Sequence, residues 1–216
     1  MKPILPVTVL AVRYLPNADP ALCRALGVPE PWRCLGLLST DSDDATYIAL
    51  DEATKASTVR VSYARSLYAG AANASTPLAG EVIGVLSGPT PSEVRSGMEA
   101  ALSLLASGQV GFRETAAREN LVYLAYTVSR TGSFLSREAE IREGEPLAYL
   151  IAPPLEAMTA LDKALKAADV TLAKLFAPPS ETNFGGALLT GAQSACSAAC
   201  EAFAQAVEEI GEAPIE

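Results

Sequence analysis

Leu50-Asp51-Glu52-Ala53-Thr54-Lys55-Ala56, followed by Val59 and Val61, returns later in the chain as Leu161-Asp162-Lys163-Ala164-Leu165-Lys166-Ala167, followed by Val170 and Leu172. Each copy reads as the end of a helix running into alternating apolar residues, so a helix-to-strand junction is written twice. A second stripe, Val94, Met98, Ala101, Leu102 and Leu105, recurs as Ala199, Phe203, Ala206, Val207 and Ile210. Both recurrences span roughly a hundred residues, the separation expected of a duplicated compact domain. The repeat predicts two domains, 1–109 and 110–216, with the junction in the small, helix-breaking run near Ser107–Gly111.

Outward from the repeat, the pattern predicts strands at Val7–Tyr14, Cys34–Leu38, Thr46–Ala49, Thr58–Tyr63 and Glu81–Leu86. A short helix is predicted over Leu50–Ala56. A longer one follows Gly88, where Thr90-Pro91-Ser92-Glu93 supplies a hydroxyl N-cap, proline at N1 and glutamate at N3, and Gly108 supplies the stop. The second half predicts strands at Leu121–Ser129, Leu147–Ile151, Val170–Phe176 and Ala187–Thr190. It also predicts helices over Leu155–Ala168 and from Thr190-Gly191-Ala192-Gln193 to Gly211. Two long segments interrupt the scheme at equivalent places, Leu67–Gly80 and Ala177–Gly186. Long loops in compact domains are often functional. The fold class expected is mixed α/β (α+β).

Composition narrows the function. The chain has 216 residues, half of them hydrophobic, and a formal net charge of -9. An acidic balance argues against nucleic acid, whose phosphates need clustered Lys and Arg. No run approaches the roughly twenty apolar residues of a membrane span, and the proline-broken start does not resemble a secretory signal. The expectation is a soluble cytosolic protein, with thiols at Cys23, Cys34, Cys196 and Cys200. There is no histidine at all. That removes the commonest general base and leaves Cys196 and Cys200 without further ligands for a metal site. No metal is expected, and close helix packing is the reading of the cysteine pair.

The acidic turn Ser39-Thr40-Asp41-Ser42-Asp43-Asp44 admits three readings. It lacks the glycine and terminal glutamate of a calcium loop. It can be plain turn chemistry between two strands, or a carboxylate cluster receiving an ammonium group. Spacing alone leaves these open. Arg65 could meet an anion or an internal carboxylate. No phosphate-cradling loop and no nucleophile–base pair is present, so no catalytic residue is assigned.

With the repeat and loops in place, the chain resembles bacterial microcompartment shell domains. Met158–Leu172 looks like their helix-to-strand segment and Leu189-Thr190-Gly191 their later strand–glycine–helix element. Leu35–Leu38 with Asp41–Asp44, Thr46–Ala49, Asp51–Lys55, Arg65–Ala72, Ser129–Ser133, Ala152–Ala157 and Pro178–Asn183 resemble, more narrowly, the tandem-domain shell proteins of ethanolamine utilisation. The likeness runs from about residue 34 to the C-terminus. It implies a tandem duplication of circularly permuted shell domains, each an antiparallel sheet flanked by helices. It further implies a homotrimer forming a pseudohexagonal tile beside other shell proteins, with a central pore gated by the long loops for passage of a metabolite or cofactor. Ethanolamine would bind in small off-centre pores, and some members also bind cobalamin near the pore. The family's ethanolamine contacts map onto Asp43, Asp44, Glu81, Phe112, Thr182, Asn183 and Phe184, a set drawn from both halves. The competing reading is an ethanolamine-binding sensor or an enzyme of ethanolamine catabolism.

Overall fold

In the computed structural model, residues 2–66, 82–178 and 182–215 are described. The elements run β1 (Val9–Leu15), α1 (Pro20–Ala25), β2 (Cys34–Thr40), α2 (Asp43–Ala56), β3 (Arg60–Ser66), β4 (Val82–Gly88) and α3 (Pro91–Ala106). They continue as β5 (Arg113–Glu114), β6 (Val122–Val128), α4 (Ser133–Ala139), β7 (Leu147–Ala152), α5 (Pro154–Ala167), β8 (Val170–Phe176), β9 (Gly185–Gly191) and α6 (Gln193–Glu212). One sheet has strand order β1-β2-β4-β3 and the other β5-β6-β7-β9-β8. With β5 set aside, the two orders are the same. All pairings are antiparallel.

The duplication extends to irregularities. The β3–β4 register jumps between Val61 and Tyr63, and the β8–β9 register jumps between Leu172 and Lys174. Val61 and Leu172 are residues the repeat had already paired. A bulge of one residue bends and twists its strand, and it sits at the same point in both copies.

Two compact units result. The N-terminal unit holds Pro6–Gln109 together with Gly132–Leu135; the C-terminal unit holds Met1–Leu5, Val110–Thr131 and Ser136–Glu216. In the C-terminal unit, alanines of α5 and α6 (Ala157, Ala160, Ala164, Ala199) allow close helix packing over Leu150 and Leu189, with Phe203 filling the centre. Cys196 and Cys200 belong to this core. Burial pushes the Cys200 thiol up to about 11, so it stays a neutral apolar side chain. The start of the chain joins the same unit through Leu5 N–H to Phe112 O at 2.7 Å and Lys2 Nζ to Glu114 Oε2 at 2.7 Å.

Gly132–Leu135 joins the N-terminal unit through one buried carboxylate. Asp51 Oδ2 accepts from Gly132 N at 2.7 Å and Oδ1 from Leu135 N at 2.8 Å, while Thr54 Oγ1 accepts from Ser133 N at 3.0 Å. Asp51 is fully buried, and burial holds its carboxyl above the ordinary range against these amides and Lys55. Only glycine fits at 132, because a Cβ there would lie 2.2 Å from Thr54 Oγ1 and 2.6 Å from Asp51 O.

Several expectations need correction. Thr46–Ala49 is helical, not a strand: α2 begins at Asp43 and takes in both that segment and Leu50–Ala56. Its alternating look arises because Ala45, Thr46, Ile48, Ala49, Leu50 and Ala53 are all buried, leaving little polar face to reveal the helical period. Helix α3 is capped as expected, Thr90 Oγ1 accepting from Glu93 N at 3.2 Å. Glu93 itself reaches Thr58 N at 2.7 Å instead of closing the box. Gly108 follows that helix at φ +66°. Gly211 lies inside α6, which ends at Glu212.

The α3/α6 stripe is also out of register by about one turn. The buried set Val94, Gly97, Met98, Ala101, Leu105 of α3 matches Cys196, Ala199, Cys200, Phe203, Val207 of α6. A shift of three residues nearly preserves a 3.6-residue period, so the pattern could not fix it.

Candidate functional site

Strand β2 delivers the chain at Thr40, and the turn into α2 places Ser42 at the N-cap with Asp43 and Asp44 in the first helical turn. Carboxylates there oppose the positive helix end favourably. Both are nevertheless almost completely buried, as are Thr40, Ser42 and Thr46. Thr40 Oγ1 donates to Ser42 O at 3.0 Å and lies 2.6 Å from Thr46 Oγ1, which must then be the donor to it. Asp41 Oδ1 accepts from Thr8 N at 2.7 Å and is spent on positioning the turn.

Asp43 Oδ1 accepts from Asp44 N at 2.9 Å. The Ser66 hydroxyl, at the end of β3, hydrogen-bonds Asp43 and lies 2.6 Å from Tyr47 Oη. Burial, then repulsion from Asp44, raises the Asp43 carboxyl well above its ordinary value against those hydrogen bonds. A cation admitted beside this pair would lower that pKa again and be held by the difference. The Ser42 Oγ is buried with no hydrogen-bond partner among the described residues. Ser66 was not legible as a neighbour of Asp43, since β3 reaches it only through the fold; Tyr47 sits four residues on along α2, a helical spacing concealed by reading Thr46–Ala49 as a strand. Ser42 stood in the acidic turn, but its burial left no mark in the sequence.

The other expected residues fall as follows. Glu81 lies outside the described residues, as does the whole of Leu67–Gly80 and, within Ala177–Gly186, residues 179–181. Phe112, Thr182, Asn183 and Phe184 belong to the C-terminal unit, whereas Asp43 and Asp44 belong to the N-terminal one. Phe112 is buried and meets Phe184 edge-to-face, with ring centroids 5.7 Å apart at 66°. Thr182 is buried, and Asn183 is exposed in the left-handed region at φ +65°, a conformation its short amide tolerates. These three residues form the turn that enters β9. The Arg65 guanidinium lies 5.4 Å from the Tyr63 ring centroid and donates to Ala64 O at 2.9 Å.

Two copies of one antiparallel sheet with its helices, on a single chain, define a tandem shell-domain protein. A family model described as "BMC domain" matches residues 34–114. The curated bacterial microcompartment shell protein EutL of Clostridium perfringens is 59% identical over 96% of this chain and 95% of its own length. The crystal structure of ethanolamine utilization protein EutL from Leptotrichia buccalis superposes with a TM-score of 0.93, 56% identity and full coverage of both chains. The trimeric shell protein PduB shares the fold at 21% identity, with a TM-score of 0.76, over 92% of this chain and 87% of its own.

The chain belongs to the EutL family of bacterial microcompartment shell proteins. It is a structural component of a microcompartment shell in ethanolamine utilisation, not an enzyme. Among the described residues, no helix is long and apolar enough to cross a membrane.

Proposed function

We propose that three copies of this chain form a pseudohexagonal tile of the shell, with a gated central pore and an ethanolamine site in each subunit. The observation that carries the tile is the repetition, β5 aside, of strand order and of the bulge shared by β3 and β8 in two units. Three such chains present six equivalent units, and closed rings are the usual outcome for homo-oligomers. Ethanolamine suits the acidic turn chemically. Its ammonium supplies three donors and a positive charge to Asp43 and Asp44, and its hydroxyl suits small polar groups. The unpartnered Ser42 hydroxyl is one such group.

Glu81, Phe112, Thr182, Asn183 and Phe184 complete the proposed contact set. Loops Leu67–Gly80 and Ala177–Gly186 are the proposed gate. Ethanolamine biases that gate only by its difference in affinity for the open and closed states. Calorimetry tests the site: ethanolamine binding is expected to be lost in the Asp43→Ala, Glu81→Ala double variant. Unchanged binding would reject the site while leaving the tile standing.

A further inference from the structure

Gly132–Leu135 has a counterpart in the N-terminal half, fixed by backbone hydrogen bonds. Ala18 N donates to Arg33 O at 2.8 Å, as Thr131 N does to Glu145 O at 3.1 Å. Val28 N donates to Cys23 O, as Ile141 N does to Ser136 O, both at 3.0 Å. Gly27 and Glu140 end the two short helices in the same left-handed conformation, at φ +68° and +55°. Asp19–Leu22 therefore corresponds, residue for residue, to Gly132–Leu135. By the repeat, Tyr47, Asp51 and Thr54 on α2 correspond to Met158, Asp162 and Leu165 on α5.

On α2 this stripe is covered. Asp51 and Thr54 hold the backbone of Gly132–Leu135, and the Tyr47 ring meets Phe134 with centroids 6.0 Å apart. On α5 the same stripe is bare and more apolar: Leu165 is 37% exposed and Leu155, further back on the helix, 65%. The counterpart of the cover is bare too. Leu22 is 42% exposed where Leu135 is 2% exposed.

We propose that the Asp19–Leu22 segment of one copy covers the Met158–Leu165 stripe of a second copy. This inference rests on the three-copy reading above and names its seam. The differences between the repeats are matched across the contact. Thr54 accepts the Ser133 N–H, whereas Leu165 offers no acceptor and Pro20 has no N–H to give.

Asp51 caps α4, whose entry residue Gly132 has no side chain to do so. Helix α1 carries its own cap, Asp19 Oδ1 accepting from Ala21 N at 2.8 Å. Asp162 is left to pair with Lys166 on the surface at 2.6 Å. Asp19 also has the Cβ that the α2 contact excludes at position 132. The second copy's segment therefore seats further out, on side chains instead of helix backbone. The contact of Gly132–Leu135 with α2 is polar and locked, and the seam between copies is apolar and separable. Each chain offers one bare cover and one bare stripe, the head-to-tail arrangement that closes into a ring.

The test is the solution mass of the full chain and of Leu22→Asp, Leu165→Asp and Asp162→Ala, each checked for native circular dichroism. The unsubstituted chain is expected at three times its 22.4 kDa mass. Both leucine variants are expected to fall to single chains at the same concentration, and Asp162→Ala to stay assembled. Assembly that survives either leucine variant overturns the seam but leaves the three-copy reading intact. Dissociation on Asp162→Ala alone refutes the apolar seam in favour of a carboxylate clasp. An unsubstituted chain that runs as a monomer overturns both readings. Where one leucine variant fails to fold, the other decides.

Discussion

Replacing Asp51 with alanine should loosen the Gly132–Leu135 segment before anything else. The carboxylate accepts two buried backbone amides at 2.7 and 2.8 Å, and alanine leaves both without a partner. Each orphaned amide costs about 1–3 kcal/mol. Part of that is recovered, because a carboxyl that burial holds above its ordinary pKa is itself costly to keep ionised. The net expected loss is about 2–3 kcal/mol, a fall in melting temperature of roughly 4–12 °C for a chain of this size. Asp51→Asn keeps one acceptor and should cost about half as much.

The pH dependence has a definite sign. Because the folded pKa of Asp51 lies above its unfolded value, its contribution to stability is fully present below the unfolded pKa. That contribution is lost as pH rises through the folded pKa. Asp51→Asn should flatten that slope. Hydrogen exchange at Gly132 and Leu135 gives the local readout, with protection lost there first. A melting temperature within about a degree of the parent, with those amides still protected, would falsify the clasp.

Gly186→Ala should prevent folding or cost more than about 3 kcal/mol, since a Cβ there would sit 1.9 Å from Leu150 O inside the β7–β9 pairing; soluble yield and a denaturant midpoint report it. Asp43→Asn should keep or raise stability, because it removes a buried charge facing Asp44, while ethanolamine binding falls at least tenfold by calorimetry. In the parent, ethanolamine affinity should drop as pH falls from neutrality, before ordinary carboxylates titrate, because the raised Asp43 carboxyl takes up its proton earlier than they do. Phe112→Ala should cost about 3–5 kcal/mol by opening a cavity beside Phe184, read as a lowered denaturation midpoint.

The repeat was legible because helix-to-strand junctions carry their period in a few residues, and Leu50–Val61 and Leu161–Leu172 do so in both copies. The bulges at Ser62 and Ala173 fall just past those matched stretches. What failed were places where tertiary burial hides the period. Thr46–Ala49 is apolar on too many sides to look helical, and α6 buries so wide a face that a one-turn slip went unseen. Helix α1 was missed: six residues are too few for periodicity to show, and only the Asp19 cap with Pro20 at the first helical position marks its start. Asp43 and Asp44 stood out as an acidic turn, but their burial did not. Ser66 comes to them through β3, a non-local meeting that no spacing records, whereas Tyr47 follows Asp43 at i+4 along α2 and was hidden only by reading Thr46–Ala49 as a strand.

Electron microscopy of the purified chain, averaged face-on, bears most directly on the three-copy tile. Flat particles with six lobes in two alternating kinds around a threefold axis are expected. Isolated two-lobed particles at every concentration would contradict it.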